Sequence, residues 1–292
     1  MLHVDKIADL RAACDDARAS GLRVGVVPTM GYLHEGHRSL MRVARAGNDF
    51  VVATIFVNPL QFGANEDLDS YPRNLTGDLA QCETERVDCV FTPSASEMYP
   101  TGAPLTTVHV DELTADLCGQ ARPTHFDGVT TVVAKLFGIV GPCRAYFGRK
   151  DAQQLAVITR MVSDLNMPIE VVGCPIVREA DGLAMSSRNA YLSAEERRAA
   201  QVLSRALHQA EQAVADGEQD PSVIVALVRE TVASEPLVAL EYVEARDPTR
   251  LTPVETIDGR VLIALAARVG TTRLIDNVEL NVGNGAELCN AR

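Results

Sequence analysis

Apolar residues in the first 176 positions form two patterns that follow one another along the chain. Short β-branched runs, such as residues 50–57 (FVVATIFV), are typical of strands buried on both faces of a parallel sheet. Residues 128–140 instead repeat their apolar positions with the period of a helix. This alternation predicts a parallel α/β sheet. The predicted strands are residues 23–28, 50–57, 88–92, 144–147 and 169–172, and the predicted helices are residues 36–45, 76–85, 128–140 and 151–165, the last one capped by Asp151.

The pattern changes near residue 176. Helices are predicted at residues 194–216 and 221–233, and Ser193 with Glu196 gives the S-x-x-E pattern of a capping box at the start of the first. We therefore expect two domains, residues 1–176 with the parallel sheet and residues 177–292 with a smaller α+β fold. The second domain has predicted strands at residues 240–245, 260–269 and 272–279, and the polar tail 283–292 is expected to fray.

Composition and charge narrow the class of protein. The chain has 292 residues, with 27 Lys and Arg against 39 Asp and Glu, and a net charge of −12. This balance argues against a nucleic-acid partner, because a phosphate backbone requires a basic face, but it is compatible with a small phosphate ligand. No apolar run reaches the 18 or so residues of a membrane helix, and the first residues do not have the pattern of a signal peptide. We expect a cytoplasmic protein without a membrane partner.

The seven cysteines contain no C-x-x-C pair. An odd number in a chain of this length favours reduced thiols over a disulfide framework or a structural zinc site.

The first candidate site is PTMGYLHEGH at residues 28–37, between a predicted strand and a predicted helix. Ligands of open α/β sheets bind beyond the carboxyl ends of strands, where a helix N-terminus offers free N–H groups to phosphate. Gly31 and Gly36 permit close approach of the backbone, and His34 and His37 lie on one side of a helical turn. A Walker A loop is rejected because His37 stands where that loop has lysine. A metal-binding histidine pair and a plain turn with two surface histidines stay open as alternatives.

Three further segments carry polar groups next to predicted strands or in loops. Lys150 in GRKD (148–151) is placed to meet a polyphosphate as a point charge. The run AMSSRN (184–189) offers two hydroxyls and a guanidinium to phosphate oxygens, and Asn58 and Gln61 follow an apolar strand. Each also has an ordinary structural explanation: a solvated helix cap, a polar loop and an Asn-Pro turn.

Taken together, these segments closely resemble the pantothenate synthetase family, also called pantoate–β-alanine ligases. The resemblance extends over essentially the whole chain. The matching segments are PTMGYLHEGH (28–37), FVNPLQFG (56–63), YPR (71–73), PTHFDGV (123–129), FGRKDAQQ (147–154), VREADGLAMSSRNAYLS (177–193) and TTRLIDN (271–277). Two positions depart from the family pattern: Arg149 stands where Gln or Glu is usual, and Gly77 stands where an acid that helps to place magnesium is found.

The resemblance implies an α/β fold, with a Rossmann-like nucleotidyltransferase domain and a smaller α+β C-terminal domain that closes over the active site. HEGH (34–37) is similar to the HIGH signature of that class, and MSSR (185–188) to the KMSKS signature. The implied enzyme condenses (R)-pantoate with β-alanine through a pantoyl adenylate and releases AMP and pyrophosphate. It uses ATP as substrate and Mg²⁺, is cytoplasmic, and is a homodimer.

The resemblance also implies roles for individual residues. The implied catalytic residues are His34, His37, Lys150, Ser186, Ser187 and Arg188. The implied ATP-binding residues are Met30, Gly31, Tyr32, Leu33, His34, Glu35, Gly36, His37, Gly148, Arg149, Lys150, Asp151, Val177, Met185, Ser186, Ser187 and Arg188. Pantoate and β-alanine are assigned to Asn58, Gln61, Tyr71 and Gln154, and the metal to Asp78.

Two other functions are compatible with these residues. One is a nucleotidyltransferase that joins AMP to another phosphate on the same fold, which would require a phosphorylated acceptor. The other is an ATP-sensing binding module, which would bind ATP without turnover. A tRNA-binding synthetase is disfavoured by the net charge of −12.

Overall fold

The computed structural model describes residues 1–63 and 66–282. The chain divides into two compact units. The first contains Met1–Arg149 and Gln153–Val177, and the second contains Lys150–Ala152 and the chain from Arg178 onward. The predicted tail 283–292 lies outside the described residues.

The described part of the first unit contains strands that alternate with helices. The strands are β1 (Leu2–Val4), β2 (Val24–Thr29), β3 (Phe50–Ile55), β4 (Cys89–Phe91), β5 (Cys143–Gly148) and β6 (Ile169–Cys174). The helices are α1 (Ile7–Ala19), α2 (Glu35–Gly47), α3 (Leu75–Thr84), α4 (Ala95–Met98), α5 (Cys118–Ala121), α6 (His125–Val140) and α7 (Ala152–Asp164). Short 3₁₀ helices cover Pro59–Gln61 and Arg149–Asp151.

The six strands of the first unit that the structure describes form one parallel sheet in the order β1-β4-β3-β2-β5-β6. The central strands β2 and β3 are apolar on both faces because helices cover both sides of a sheet of this kind. The expectation of a Rossmann-like α/β domain is confirmed.

The strand order changes direction between β2 and β5. From β2 the chain builds β3 and β4 on one side, whereas β5 and β6 lie on the other side of β2. Connections from neighbouring strands diverge at such a switch point, which leaves a crevice beyond their carboxyl ends. The loop 30–34 leaves β2 at this edge, and Arg149 follows the end of β5 there.

The second unit is a separate α+β fold. It contains α8 (Ala194–Ala215), α9 (Pro221–Ala233), β7 (Val238–Arg246), β8 (Gly259–Val269) and β9 (Thr272–Val282), and a 3₁₀ helix at Ser187–Tyr191. The strands pair antiparallel in the order β7-β8-β9. Apolar residues of α8 and α9 pack against one face of this sheet. The predicted capping box is confirmed, with Ser193 Oγ accepting from Glu196 N and Glu196 Oε2 accepting from Ser193 N.

Two differences from the sequence-based elements have clear causes. Strand β1 and helix α1 were not predicted, because α1 has no side-chain cap and its apolar face is built largely from small residues such as Cys14 and Ala17. The prediction that Asp151 caps a helix is wrong, because Asp151 lies inside the 3₁₀ turn Arg149–Asp151 that precedes α7.

Candidate active site

The loop between β2 and α2 is held by a buried threonine. Thr29 Oγ1 donates to Thr54 O of the neighbouring strand β3 at 2.7 Å and accepts from Gly31 N at 3.2 Å. Gly31 has φ +81°, and a Cβ at this position would lie 3.0 Å from both Ile55 Cγ2 and Asp78 Oδ2. The glycine is therefore required both by its backbone conformation and by the packing around it.

Asp78 holds the same loop from α3. Its carboxylate is 2% exposed and accepts from Tyr32 N at 2.9 Å and from Leu33 N at 2.7 Å. Tyr32 has a positive φ of 49°, which the two hydrogen bonds stabilise. These contacts give Asp78 a loop-positioning role, one that sequence reasoning did not identify. Its assignment to a metal stays a prediction.

The two histidines of the loop lie together at the start of α2. His34 is the residue before the helix, and His37 lies in its first turn. Their ring centroids are 4.0 Å apart, and His34 N donates to His37 Nδ1 at 3.4 Å. Because Nδ1 accepts this bond, the neutral His37 ring carries its proton on Nε2. Both rings are partly exposed beside the first N–H groups of the helix, where the helix dipole favours an anion.

Charged side chains anchor α2 to α3. Arg38 Nε donates to Glu85 Oε1 at 2.7 Å and Arg42 Nη1 donates to the same oxygen at 3.0 Å, although the Glu85 side chain is only 7% exposed. Glu35, one of the residues assigned to ATP, forms ion pairs with Arg42 and Arg38. Glu35 thus contributes to this cluster. Among the other loop residues assigned to ATP, Met30 and Gly36 are partly exposed.

The segment after β3 carries Asn58 and Gln61 in different environments. Asn58 has no exposed surface: its Nδ2 donates to Gly128 O at 3.0 Å, and its Oδ1 accepts from Tyr99 OH at 2.8 Å. These contacts give Asn58 a structural role in the fold, and its assignment to pantoate and β-alanine stays a prediction. Tyr71, assigned with it, is 5% exposed and packs edge-to-face on Phe62 at 5.8 Å.

Gln61 is fixed through its backbone. Its carbonyl oxygen accepts from Arg122 Nη2 at 3.1 Å and is 2.8 Å from His125 Nδ1, while Arg122 also forms a two-bond ion pair with Glu66. The Gln61 amide group makes no hydrogen bond with any residue that the structure describes. Helix α6 touches this segment at Gly128, where a Cβ would lie 2.2 Å from Leu60 O.

The two neighbouring glutamines on α7 differ in the hydrogen bonds of their amide groups, as Asn58 and Gln61 do. Gln153 is 7% exposed; its Oε1 accepts from Cys118 N and its Nε2 donates to Leu113 O and Asp116 O, each at 2.9 Å. Gln154 is partly exposed and has no hydrogen bond among the described residues. Gln153 thus fixes the backbone of residues 113–118 through its amide group. The local sequence does not distinguish it from Gln154.

The end of β5 leads into the second candidate segment. Gly148 has open space where a side chain would begin, and Arg149 lies near Gly173 of β6. Lys150 belongs to the second unit by its contacts: its carbonyl oxygen accepts from Asn277 Nδ2 at 2.8 Å, and its Nζ is 3.9 Å from Asp151 Oδ1.

The MSSR segment also lies in the second unit. Met185 is partly exposed, Ser186 precedes the 3₁₀ helix Ser187–Tyr191 and accepts from Arg188 N at 3.3 Å, and Ser187 is 8% exposed. Val177, the last residue of the first unit, is partly exposed.

The structure brings the residues assigned from sequence into two groups. In the first unit, one sheet edge carries the histidine loop and the Gln61 segment. Lys150 and the MSSR segment both belong to the second unit. No separate signal in the sequence marks Thr29, Arg122 or Gln153, although each lies within or beside a matching motif.

The residues that the structure describes form no cluster of side chains that could by itself coordinate Mg²⁺. They contain no group of three or more His, Cys, Asp or Glu side chains that could hold a metal ion. Both oxygens of Asp78 already accept backbone N–H groups. We derive no step through that ion, and the assignment of Asp78 to it stays a prediction. Within residues 1–63 and 66–282, no helix combines the length and apolar character needed to cross a membrane.

Comparisons with known proteins identify the family. A sequence profile described as pantoate-beta-alanine ligase matches residues 3–279. The chain is 55% identical to the pantothenate synthetase of Thermoanaerobacter sp. (strain X514), covering 95% of this chain and 98% of the relative, and 56% identical to that of Heliobacterium modesticaldum, covering 96% and 99%.

Solved structures agree with this assignment. The pantothenate synthetase of Thermus thermophilus superposes with a TM-score of 0.90 at 47% identity, covering 95% of this chain and 99% of that one. The pantoate-beta-alanine ligase of Francisella tularensis, solved in complex with beta-gamma ATP and beta-alanine, gives a TM-score of 0.78 at 32% identity, covering 95% and 97%. Both the sequence and the fold therefore place this chain among the enzymes of the pantoate–β-alanine ligase family.

Proposed function

We propose that this enzyme condenses (R)-pantoate with β-alanine in two steps, through a pantoyl adenylate, and releases pyrophosphate and AMP. The observation that carries the proposal is the close pair of rings His34 and His37 at the N-terminus of α2, beyond the carboxyl end of β2. A helix start of this kind binds phosphate through free N–H groups, and the histidines add side-chain donors at the same place.

The chemistry requires activation of a carboxylate. A carboxylate is a poor acylating agent for an amine, so the pantoate carboxylate first attacks the α-phosphorus of ATP, and pyrophosphate leaves. Such displacements depend on positioning and on stabilising negative charge as it shifts. In our proposal, His37 donates from Nε2 and His34 from its ring to the phosphate oxygens near the reacting centre.

The leaving group is held by cationic and hydroxyl donors. We assign the β- and γ-phosphates to Lys150, Ser186, Ser187 and Arg188, since ammonium, hydroxyl and guanidinium groups are the usual partners of phosphate oxygens. Partial exposure of Lys150, Ser186 and Arg188 supports this assignment.

Pantoate is assigned to Gln61 and Gln154, whose amides can both donate and accept. The β-alanine amine then attacks the mixed anhydride and AMP leaves. Asn58 and Tyr71 are assigned to the same pocket, in which both side chains are buried. Closure of the second domain over the adenylate, a homodimer, a cytoplasmic location and a requirement for Mg²⁺ stay predictions.

Pyrophosphate release tests the order of the two steps. With ATP, pantoate and Mg²⁺ but no β-alanine, we expect about one equivalent of pyrophosphate per protein chain, and AMP only after β-alanine is added. Replacement His37→Ala should slow the first step by about 10²–10³. Replacement His208→Ala, at an exposed histidine of α8, is the control and should change nothing. Pyrophosphate release that needs β-alanine from the start would refute the adenylate.

A further inference from the structure

Two consecutive polar residues are buried in the middle of β9. Asp276 is 3% exposed and Asn277 is 5% exposed, in a strand whose other buried positions include Leu274 and Leu280. Consecutive residues of a strand point to opposite faces, so the two side chains serve different neighbours. Buried polar or charged groups are often no more stabilising than well-packed apolar residues. Stability alone therefore gives little reason for polar residues at positions 276 and 277.

Asp276 holds the hairpin that precedes the MSSR segment. Its two oxygens accept from Arg178 Nη1 at 2.7 Å and Nη2 at 3.0 Å, the two-bond geometry that fixes a guanidinium in a plane. Arg178 Nη1 also donates to Gly182 O at 3.1 Å, and the backbone of Arg178 pairs with that of Ala184. Asp276 therefore determines where this hairpin lies relative to β9.

The hairpin in turn holds both ends of the MSSR segment. Asn189 Nδ2 donates to Ala184 O at 3.1 Å and to Glu179 Oε1 at 2.7 Å, so the residue after the segment is tied to the residue before it. Asn189 N also donates to Ser186 O at 3.0 Å. Arg197 of α8 pairs with Glu179, which adds a further anchor. A displacement of Arg178 would therefore be transmitted to Ser186 and its neighbours.

Asn277 holds the other phosphate-binding segment. Its Nδ2 donates to Lys150 O at 2.8 Å, in the 3₁₀ turn that belongs to the second unit. This bond fixes the backbone from which the lysine side chain extends. A second bond, from Asn277 N to Asp276 Oδ1 at 2.8 Å, joins the two residues of the pair.

We infer that Asp276 and Asn277 are positioning residues that fix the spacing between Lys150 and the MSSR segment. The inference rests on the proposed function, in which both segments bind one polyphosphate. Strand β9 pairs with β8 along its whole length and is a rigid base for both. Cationic groups on two separate loops stabilise a leaving pyrophosphate only if their separation matches it, and a misplacement of about 1 Å can cost on the order of 10²-fold in rate.

The test is a set of single variants and one double-mutant cycle in the full-length enzyme. Asn277→Ala removes the bond to Lys150 O and keeps the strand, and Asp276→Asn keeps the shape but weakens the pairing with Arg178. Leu280→Ala is the control, because it removes a buried side chain of the same strand that takes no part in these bonds. Thermal unfolding is measured for every variant, and kinetics are measured below all the midpoints.

Both polar variants should lower kcat/KM for ATP in pyrophosphate release by about 10–100-fold, while the KM for pantoate changes less than about twofold. The control should lose thermal stability and keep both constants. Because Asn277 acts through Lys150, adding Asn277→Ala to Lys150→Ala should cost less than about threefold further.

Several outcomes would overturn the inference. One is an unchanged kcat/KM for ATP in the polar variants, and another is an equal decrease in kcat/KM for pantoate and for ATP. A third is a double variant in which the decreases in kcat/KM of the two single variants multiply. Calorimetric titration with ATP separates this result from failure of the proposed function. If the wild-type enzyme bound ATP but released no pyrophosphate with pantoate, the proposed function would fail, and weaker ATP binding by Asn277→Ala than by Leu280→Ala would still support the positioning role. Equal ATP binding by those two variants, or none by the wild-type enzyme, would overturn it.

Discussion

Replacement of Gly128 by alanine tests whether helix α6 determines the position of Gln61. The added Cβ would lie 2.2 Å from Leu60 O and 2.8 Å from Gln61 N, and both are backbone atoms that no change of rotamer can move. Ordinary van der Waals contact begins near 3.4 Å, so the helix and the 59–61 segment must separate by about 1.2 Å.

Two terms decide the effect on stability. Overpacking of this kind costs about 1–3 kcal/mol, while alanine in place of glycine inside a helix contributes up to about 1 kcal/mol. We expect a net loss of about 0–2 kcal/mol, which a fold of this size tolerates. The effect on catalysis should be larger, because a shift of this size at the amide that we propose for pantoate should lower kcat/KM by on the order of 10²-fold.

The assay is pyrophosphate release at varied pantoate, with ATP affinity measured separately by calorimetry. Gly128→Ala should lower kcat/KM for pantoate by about 10²-fold and leave ATP binding unchanged. Gly138→Ala, in the same helix at a position with open space around it, is the matched control and should keep full activity. If Gly128→Ala used pantoate as well as the control does, the reasoning that α6 positions Gln61 would be refuted.

Three further predictions concern stability. Asp78→Asn replaces one of the two acceptor oxygens, so one backbone N–H of the loop loses its partner. We expect the free energy of unfolding, measured by urea denaturation, to fall by about 1–3 kcal/mol and the release of pyrophosphate to slow about tenfold. Full activity at reduced stability would contradict the loop-positioning role. Burial raises the pKa of the Cys82 thiol to about 12, above its usual 9.0, so the thiol of the unfolded chain loses its proton at lower pH and the free energy of unfolding falls from pH 9 up to about pH 12. Cys82→Ala should reduce the fall in the free energy of unfolding between pH 8 and pH 10 by about 1.4 kcal/mol. An equal fall in both proteins would refute the role of this thiol. Ser193→Ala removes the cap of α8 and should cost about 1 kcal/mol in thermal unfolding, while any change in the KM for ATP would show that Ser193 does more than cap the helix.

The elements of this fold that the sequence predicts are those with a strong local signature. The long apolar run of β3 and the capping box at Ser193 both carry their signal within a few residues, and the structure has both. Helix α1 was missed because Lys6 precedes it without a side-chain cap. The turn at Asp151 was misassigned because an acidic residue before a helix has the same sequence pattern whether it caps the helix or ends a 3₁₀ turn.

The candidate site was predictable as a set of segments but not as a set of contacts. The loop with His34 and His37 has a recognisable pattern, whereas the partners of Asp78 lie about 45 residues earlier in the chain. Asn58 and Gln61 are both buried polar residues after a strand. Only the contacts of Asn58 with Tyr99 and Gly128 distinguish its amide from that of Gln61, which makes no hydrogen bond with the described residues. Such pairings depend on tertiary packing, which no local pattern encodes.

The pairing of β2 with β5 also has a consequence for how the enzyme folds. These strands meet at Gly25 with Arg144 and at Val26 with Ala145, although more than a hundred residues separate them along the chain. Non-local strand pairing of this kind slows folding. During synthesis the histidine loop is therefore complete long before the neighbouring strand emerges from the ribosome. A nascent chain that ends before residue 143 has no crevice at the switch point, so at the site that we propose, nucleotide would stabilise this domain only after β5 has docked.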